Sequence, residues 1–418
     1  MTLTQKILAA KCGKSEVSEG ELVECAADLV FGNEVVTPLA ITEFNKMGVR
    51  EVFDRNKIVL VPDHFVPNKD IASAELAKTM REFALSKGIT HYFEVGRGGI
   101  EHALIPEKGF VSPGYVVVGA DSHTTTHGAL GAFATGFGST DMAYAMAFGK
   151  VWLRIPQAIK VIIIGQKRPF VSGKDIILHL IGILGVDGAR YQSIEFSGEI
   201  SRLSICDRFT IANMAVEAGA KNAIFPADSL CNEFVMEHGG SNGMVYSADS
   251  CAKYTMEIAL NLDDIPLTVA FPHLPENVKS AEEAEAMKIS VDQVVIGSCT
   301  NGWIDDMRVA AAIMKGKTIA ANLRCIVIPA TQLIWKQCIA EGLMDIFTDA
   351  GAIVCCPTCG PCLGAHSGVL AQGEVCVSTT NRNFTGRMGH KTSEIYLASP
   401  VVAAASAIAG YICKPPEI

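Results

Sequence analysis

The sequence predicts an α/β protein of three successive units with mainly parallel sheets, and two features carry that expectation. Short β-branched runs alternate with amphipathic, helix-like stretches along the whole chain. Five of these runs end directly in polar groups: PDH at 62–64, GADSH at 119–123, GSCTN at 297–301, CCPTCGPC at 355–362 and TTNRNFTGR at 379–387. Ligands of open α/β sheets collect at the carboxyl ends of strands. One such group would be ordinary turn chemistry, but five that contain His, Cys and Arg point to a single convergent site.

Taken in order, KIVLVPD at 57–63 reads as a buried strand. SAELAKTMREFALSKG at 73–88 reads as a helix with Ser73 as N-cap, Leu76 and Met80 on one face, and Gly88 as its stop. HYFEVG, YVVVGAD and VIIIG continue the strands, followed by VVIGS at 294–298, CIVIPA at 325–330, AIVCC at 352–356 and VCVSTT at 375–380. A boundary is expected near Pro156, where a helix gives way to the VIIIG strand. A second is expected in LPENVKSAEEAEAMKIS at 274–290, a proline followed by an acidic run. The units are therefore 1–157, 158–285 and 286–418, each of ordinary domain size.

The chain has 418 residues, 49% hydrophobic and 19% charged, enough to bury several cores. A formal net charge of −9 argues against a broad nucleic-acid or anionic-membrane surface, while a local arginine pair can still take an anionic substrate. The apolar runs are of strand length, too short to cross a bilayer, and the N-terminal stretch is too short for a secretory signal. A cytoplasmic protein is expected. Without such a signal, fourteen cysteines read as metal ligands or small buried hydrophobes rather than a disulfide framework.

Cys359-Gly-Pro-Cys362 is a C-x-x-C turn, and Cys299 stands alone at the end of another strand. Spacing leaves several readings open. Zinc would take a fourth ligand from Cys355, Cys356 or His366. A thioredoxin-like dithiol tolerates Pro361 at its middle position. An iron–sulfur cluster could use Cys356, Cys359 and Cys362 as part of a four-cysteine set, favouring electron transfer, or three cysteines with an open iron for substrate. Asp63-His64, His102 and Asp121-Ser122-His123 are candidate acid–base groups at strand ends. His91, His127, His179, His238, His273, His366 and His390 read as ordinary buried or surface histidines. Glu195, in QSIEFSG, reads either as a turn cap or as a carboxylate near the site. Arg382 and Arg387 lie five apart in a glycine-containing loop and suit a di- or tricarboxylate, because guanidinium pairs bidentately with carboxylate. No phosphate-loop pattern is present.

Together, PDH, GADSHT, GSCTN, CGPCLG and NRNFTGR occur in an order and spacing that resemble the aconitase superfamily over essentially the whole chain. DHFVPNKDI, EHALIPEKG, GAFATGFGSTD and VDGARYQSIEFSG are similar to its branch of free-standing large subunits, which includes the isopropylmalate dehydratases. The resemblance implies three α/β domains around a central [4Fe–4S] cluster held by Cys299, Cys359 and Cys362 with one open iron. It implies catalytic roles for Asp63, His64, His102, Asp121, Ser122, His123 and Glu195. Asn301 and Asn381 would lie near the cluster, and Arg382 and Arg387 would bind substrate carboxylates. The implied activity is a hydro-lyase isomerising 3-isopropylmalate and 2-isopropylmalate in leucine biosynthesis, with dimethylmalate, methylmalate and homoaconitate as alternative substrates.

The chain ends at GYICKPPEI, where the third domain should finish. The swivelling domain of single-chain aconitases is therefore expected on a small partner subunit that also brings a catalytic serine. Two departures stand out. Cys355-Cys356 precede the C-x-x-C directly, and the glutamine that aconitases carry near the N-terminus has no counterpart around VVTPLAITEF at 35–44. The second argues against citrate as substrate. An RNA-binding apo-protein or an electron-transfer protein using Cys356 are the other classes the motifs allow; no nucleic acid or membrane partner is expected.

Overall fold

A computed structural model describes residues 1–416. Its first sheet is five-stranded and wholly parallel, in spatial order His91–Tyr92, Ile58–Leu60, Leu29–Gly32, Val116–Gly119, Phe133–Gly136. Both faces are covered, as parallel sheets require. Phe31, Val59 and Val117 point into one core; Val30, Ile58, Leu60, Val116 and Val118 point into another. The second core is closed by helices Thr37–Lys46, Ile71–Lys87 and Ser139–Phe148 through Phe44, Met80, Phe83, Met142 and Met146. The continuous apolar runs of the sequence are explained by this double burial.

A second parallel sheet runs Asn222–Ile224, Ser193–Gly198, Ala158–Ile164, Met256–Asn261. The third has seven strands, in order Val278–Ser280, Thr268–Ala270, Glu394–Leu397, Val375–Ser378, Gln293–Gly297, Arg324–Ile328, Ile353–Val354. Its five inner and later strands are parallel and the first two antiparallel. In the first sheet the strand order reverses between Leu29–Gly32 and Val116–Gly119, and in the third between Gln293–Gly297 and Val375–Ser378. Such switch points are where open α/β sheets open a crevice at their carboxyl ends. The polar groups of the sequence follow these strands.

Several local expectations are corrected. The helix cap is Asp70, not Ser73: Asp70 Oδ1 accepts from the Ser73 backbone N–H at 2.7 Å, an arrangement the acidic side chain favours at a helix N-terminus. Gly88 ends the helix as expected, at φ +63°. The segment before Pro156 is a strand, Lys150–Arg154, paired antiparallel with Leu22–Ala26. The stretch 274–290 is no linker, since it contributes Val278–Ser280 and the helix Ala281–Ala286, whose Ala281 and Ala284 are buried. Because Thr268–Ala270 and Val278–Ser280 pair into the third sheet, that unit begins before residue 286.

The turn Ser122–Leu130 packs against helix Ile205–Met214 and strand Asn222–Ile224, joining the first sheet to the second. At Gly128 a Cβ would lie 1.7 Å from the Ala223 carbonyl oxygen, a backbone atom that cannot swing aside. Gly128→Ala should therefore lower stability by about 2–4 kcal/mol. Thermal unfolding by circular dichroism measures this, and an unchanged Tm would show that the junction can relax.

Candidate active site

Beyond the carboxyl ends of the first sheet, three acidic side chains gather: Glu34, Asp63 and Glu101. Glu34, just beyond Leu29–Gly32, accepts from the N–H groups of Asp63, His64 and Phe65 at 2.9, 2.8 and 2.5 Å. Asp63 Oδ1 lies 2.5 Å from His64 Nδ1, and its Oδ2 accepts from the Glu101 N–H at 2.7 Å. Asn33 Nδ2 donates to Glu101 Oε1 at 2.7 Å, leaving Glu101 Oε2 buried without a partner. Burial, then the neighbouring Asp63, raises the Glu34 carboxyl; burial, Asp63 and Asp121 raise that of Glu101 well above the usual range. Burial works against the His64 imidazolium, yet Asp63 and Glu34 outweigh it and raise His64 to about 10. The Asp63 and Glu34 carboxylates thus favour the protonated imidazole of His64.

Asp121 follows strand Val116–Gly119 and gathers two histidines. His102 Nε2 lies 2.9 Å and His123 Nδ1 3.2 Å from Asp121 Oδ1, which also accepts the His123 N–H at 2.8 Å. Burial penalises the Asp121 charge, but the hydrogen bonds from His102 and His123 dominate and hold its carboxyl well below the usual range. The far nitrogen of His123 meets Glu217 Oε1 at 2.8 Å, and the same oxygen accepts from Arg382 Nε at 2.8 Å. Arg382 also donates to Ser122 Oγ at 2.9 Å. A cavity of about 330 Å³ opens beside Asp121, Ser122 and Thr125, walled by Phe137, Val216 and Lys221.

The third sheet delivers the thiols. Gly297 at φ +134° and Ser298 at φ +87° turn the chain sharply after Gln293–Gly297, and a Cβ on Gly297 would meet the Ile328 carbonyl at 2.1 Å. Cys299 follows, 2% exposed, with its sulfur 3.3 Å from Asn213 Nδ2 and 3.5 Å from Asn381 Nδ2. Burial pushes its thiol up to about 12. Cys359 and Cys362 are paired as a disulfide across the C-x-x-C turn, Cα atoms 5.7 Å apart, so the turn presents both sulfurs side by side. The turn is docked on the first sheet: Asp63 O accepts from the Cys359 N–H at 2.7 Å and from Thr358 Oγ1 at 3.0 Å.

The donors around Cys299 suit the sulfur of an iron–sulfur ligand. Two amide N–H groups already point at the Cys299 sulfur, the hydrogen bonding that tunes such clusters. Among the described residues, Asn381 Oδ1, His102 Nδ1 and Arg387 Nε are buried without partners.

One candidate is placed elsewhere. Glu195 accepts from the N–H groups of Leu3 and Thr4 at 3.0 and 2.8 Å and from the Tyr254 hydroxyl at 3.2 Å, so it caps the N-terminal helix Leu3–Lys11. Asn301, two residues past Cys299, donates from Nδ2 to Asp306 and Thr210 at 3.1 and 3.4 Å, and its Oδ1 is buried with no partner among the described residues. Sequence reasoning missed Glu34, Glu101, Asn213 and Glu217. The last two lie on a helix and the turn after it, with no strand-end polar group to mark them. His127, read as ordinary, is fully buried with neither ring nitrogen bonded, and burial with His102 lowers it well below the usual range.

Residues 5–410 match the family model described as Aconitase family (aconitate hydratase). Over its full length the chain is 59% identical to a 3-isopropylmalate dehydratase large subunit from Clostridium kluyveri, covering 99% of that protein. It is 58% identical to proteins of the same name from Caldicellulosiruptor saccharolyticus and Acetivibrio thermocellus, covering 97% and 100% of them. The crystal structure of Thermococcus kodakaraensis aconitase X aligns with a TM-score of 0.52 over 100% of this chain and 94% of that one, at 11% identity, which is a likeness of fold.

Glu217 and Glu195 can be told apart experimentally. Glu217→Ala should cost about 2–4 kcal/mol, because it strands the buried His123 and Arg382 donors. Glu195→Ala should cost about 1 kcal/mol and accelerate amide exchange at Leu3 and Thr4, as loss of a helix cap does. Denaturant titration and exchange mass spectrometry measure both; equal losses would contradict the assignment.

Proposed function

The chain belongs to the aconitase family, and we propose that it is the cluster-holding large subunit of a hydro-lyase that interconverts 3-isopropylmalate and 2-isopropylmalate in leucine biosynthesis. The observation that carries this is full-length identity near 60% to proteins of that name, combined with convergence of strand-end residues on one crevice. The family implies a [4Fe–4S] cluster. Cys299, Cys359 and Cys362 would hold it, leaving one iron free of protein ligands. Bound there, it supplies a Lewis acid for the substrate's hydroxyl and carboxylate.

The chain's own residues divide the remaining work. His64, kept protonated by Asp63 and Glu34, gives a proton to the departing hydroxyl. His102 and His123, both fixed by Asp121, hold its ring of hydrogen bonds in place on the other wall. Arg382, aimed by Glu217 and Ser122, and Arg387 take a substrate carboxylate. Arg387 is held below its usual range by burial and by Arg382, which an incoming dianion relieves. Asn381 donates toward Cys299. Phe137 and Val216 give the cavity beside Ser122 an apolar wall suited to an alkyl substituent.

The relatives' name, large subunit, implies a small-subunit partner. Our reading places the swivelling domain and the serine base that removes the α-proton on it. Among the described residues no helix is long and apolar enough to cross a membrane, and a cytoplasmic setting fits the proposed pathway.

The test is assay of the cluster-loaded chain with and without its partner, on a panel of 2- and 3-substituted malates. The pair should turn over isopropylmalates at least about 100-fold faster than the chain alone, the size of effect expected from a missing general base. Cys299→Ser should remove both the brown absorbance and turnover. Preference for dimethylmalate or homoaconitate would redirect the substrate assignment, and full activity of the isolated chain would overturn the half-site reading.

A further inference from the structure

His366 follows the C-x-x-C turn, and both of its ring nitrogens are engaged. Nε2 lies 3.2 Å from the His64 carbonyl oxygen and 3.4 Å from Thr358 Oγ1, while Nδ1 lies 2.6 Å from Ser367 Oγ. A carbonyl can only accept, so Nε2 carries the proton and Nδ1 accepts from the serine hydroxyl. Ser367 itself takes the left-handed backbone at φ +56°, a conformation that is costly for a residue with a side chain. With both nitrogens committed, this ring is not the fourth zinc ligand that spacing allowed.

The ring also decides what the turn can contain. A Cβ on Gly360 would fall 2.6, 2.7 and 2.9 Å from His366 Nε2, Cε1 and Cδ2, so the imidazole edge fills the space a side chain between Cys359 and Pro361 would need. Gly360 donates its own N–H to Thr358 Oγ1 at 3.2 Å. Two neighbouring carbonyls beyond the strand Ile58–Leu60 are thereby tied to the turn. Asp63 O takes the Cys359 N–H and Thr358 Oγ1, and His64 O takes His366. The His64 N–H is held from its other side by Glu34, at 2.8 Å. We infer that His366 is a positioning residue: it closes the C-x-x-C turn onto the backbone of His64, so that the two cysteines and that imidazole move as one unit. The inference rests on the proposed function for the role of His64, and adds to it a residue that acts only through its neighbours.

The test compares variants of the full chain by amide-exchange mass spectrometry and, paired with the small subunit, by turnover of isopropylmalate. His366→Phe keeps a ring against Gly360 but has no donor. Gly360→Ala leaves His366 intact and pushes its ring aside. His366→Gln keeps an N–H donor. His366→Phe and Gly360→Ala should each exchange about tenfold faster at the Asp63, His64 and Phe65 amides as well as at Cys359 and Gly360, the scale of one lost buried hydrogen bond. Their kcat should fall about tenfold with KM little changed, as displacement of a proton donor does. His366→Gln should recover most of both. The inference is overturned if faster exchange stays within residues 358–367, or if His366→Phe and Gly360→Ala turn over as wild type does. Exchange is read on the chain alone, so failure of the proposed function would show instead as a wild-type pair inactive on isopropylmalate with the exchange pattern intact.

Discussion

The side-chain amide of Asn213 is the joint on which the rest of the site depends. Its nitrogen donates to Thr126 Oγ1 at 2.8 Å and to the Cys299 sulfur at 3.3 Å; its oxygen accepts from Thr300 Oγ1 at 3.0 Å and Asn381 Nδ2 at 3.2 Å. One buried amide thus touches the turn after the first sheet, the helix packed on the second and two strand ends of the third. Low local dielectric makes each of these bonds stronger and the loss of any partner more costly. Asn213, satisfied on both atoms, ties together segments that follow the first and third sheets.

A second joint, at Asp63, explains why the C-x-x-C turn belongs to the same crevice. The Asp63 carbonyl anchors Cys359 and Thr358, while its carboxylate fixes His64 and the start of helix Glu101–Glu107, which carries His102. One residue therefore sets the C-x-x-C turn, the His64 imidazole and the helix that carries His102 relative to each other. Charge balance follows the same economy. Glu34, Glu101, Asp121 and Glu217 lie among His64, His102, His123, Arg382 and Arg387, and each of the four carboxylates accepts at least one hydrogen bond.

Much of this was legible in the sequence because strand ends concentrate function. Asp63, His64, Asp121, His123, Cys299, Asn381 and Arg382 each stand directly after a β-branched run, and the double coverage of parallel sheets makes those runs easy to see. What failed did so for physical reasons. Glu195 lies in the strand Ser193–Gly198, but its side chain reaches the N-terminal helix instead of the crevice. Glu217 and Asn213 are hydrophilic positions in a helical stretch, where exposed polar residues are the normal case, so burial could not be foreseen. Ser73 and Asp70 are both good caps, and only geometry chose Asp70. The antiparallel strands before residue 286 were hidden by an acidic run that forms one short helix rather than a linker.

The central claim is that the crevice holds a cluster through Cys299, Cys359 and Cys362 with one iron left open. Anaerobic reconstitution followed by mild oxidation tests it directly, with released iron and the electron paramagnetic resonance spectrum recorded together. The account predicts loss of about one iron in four per cluster and the signal of a three-iron remnant, unchanged in Cys356→Ala. A cluster that keeps all its iron through a reversible redox couple, and collapses in Cys356→Ala, would contradict it.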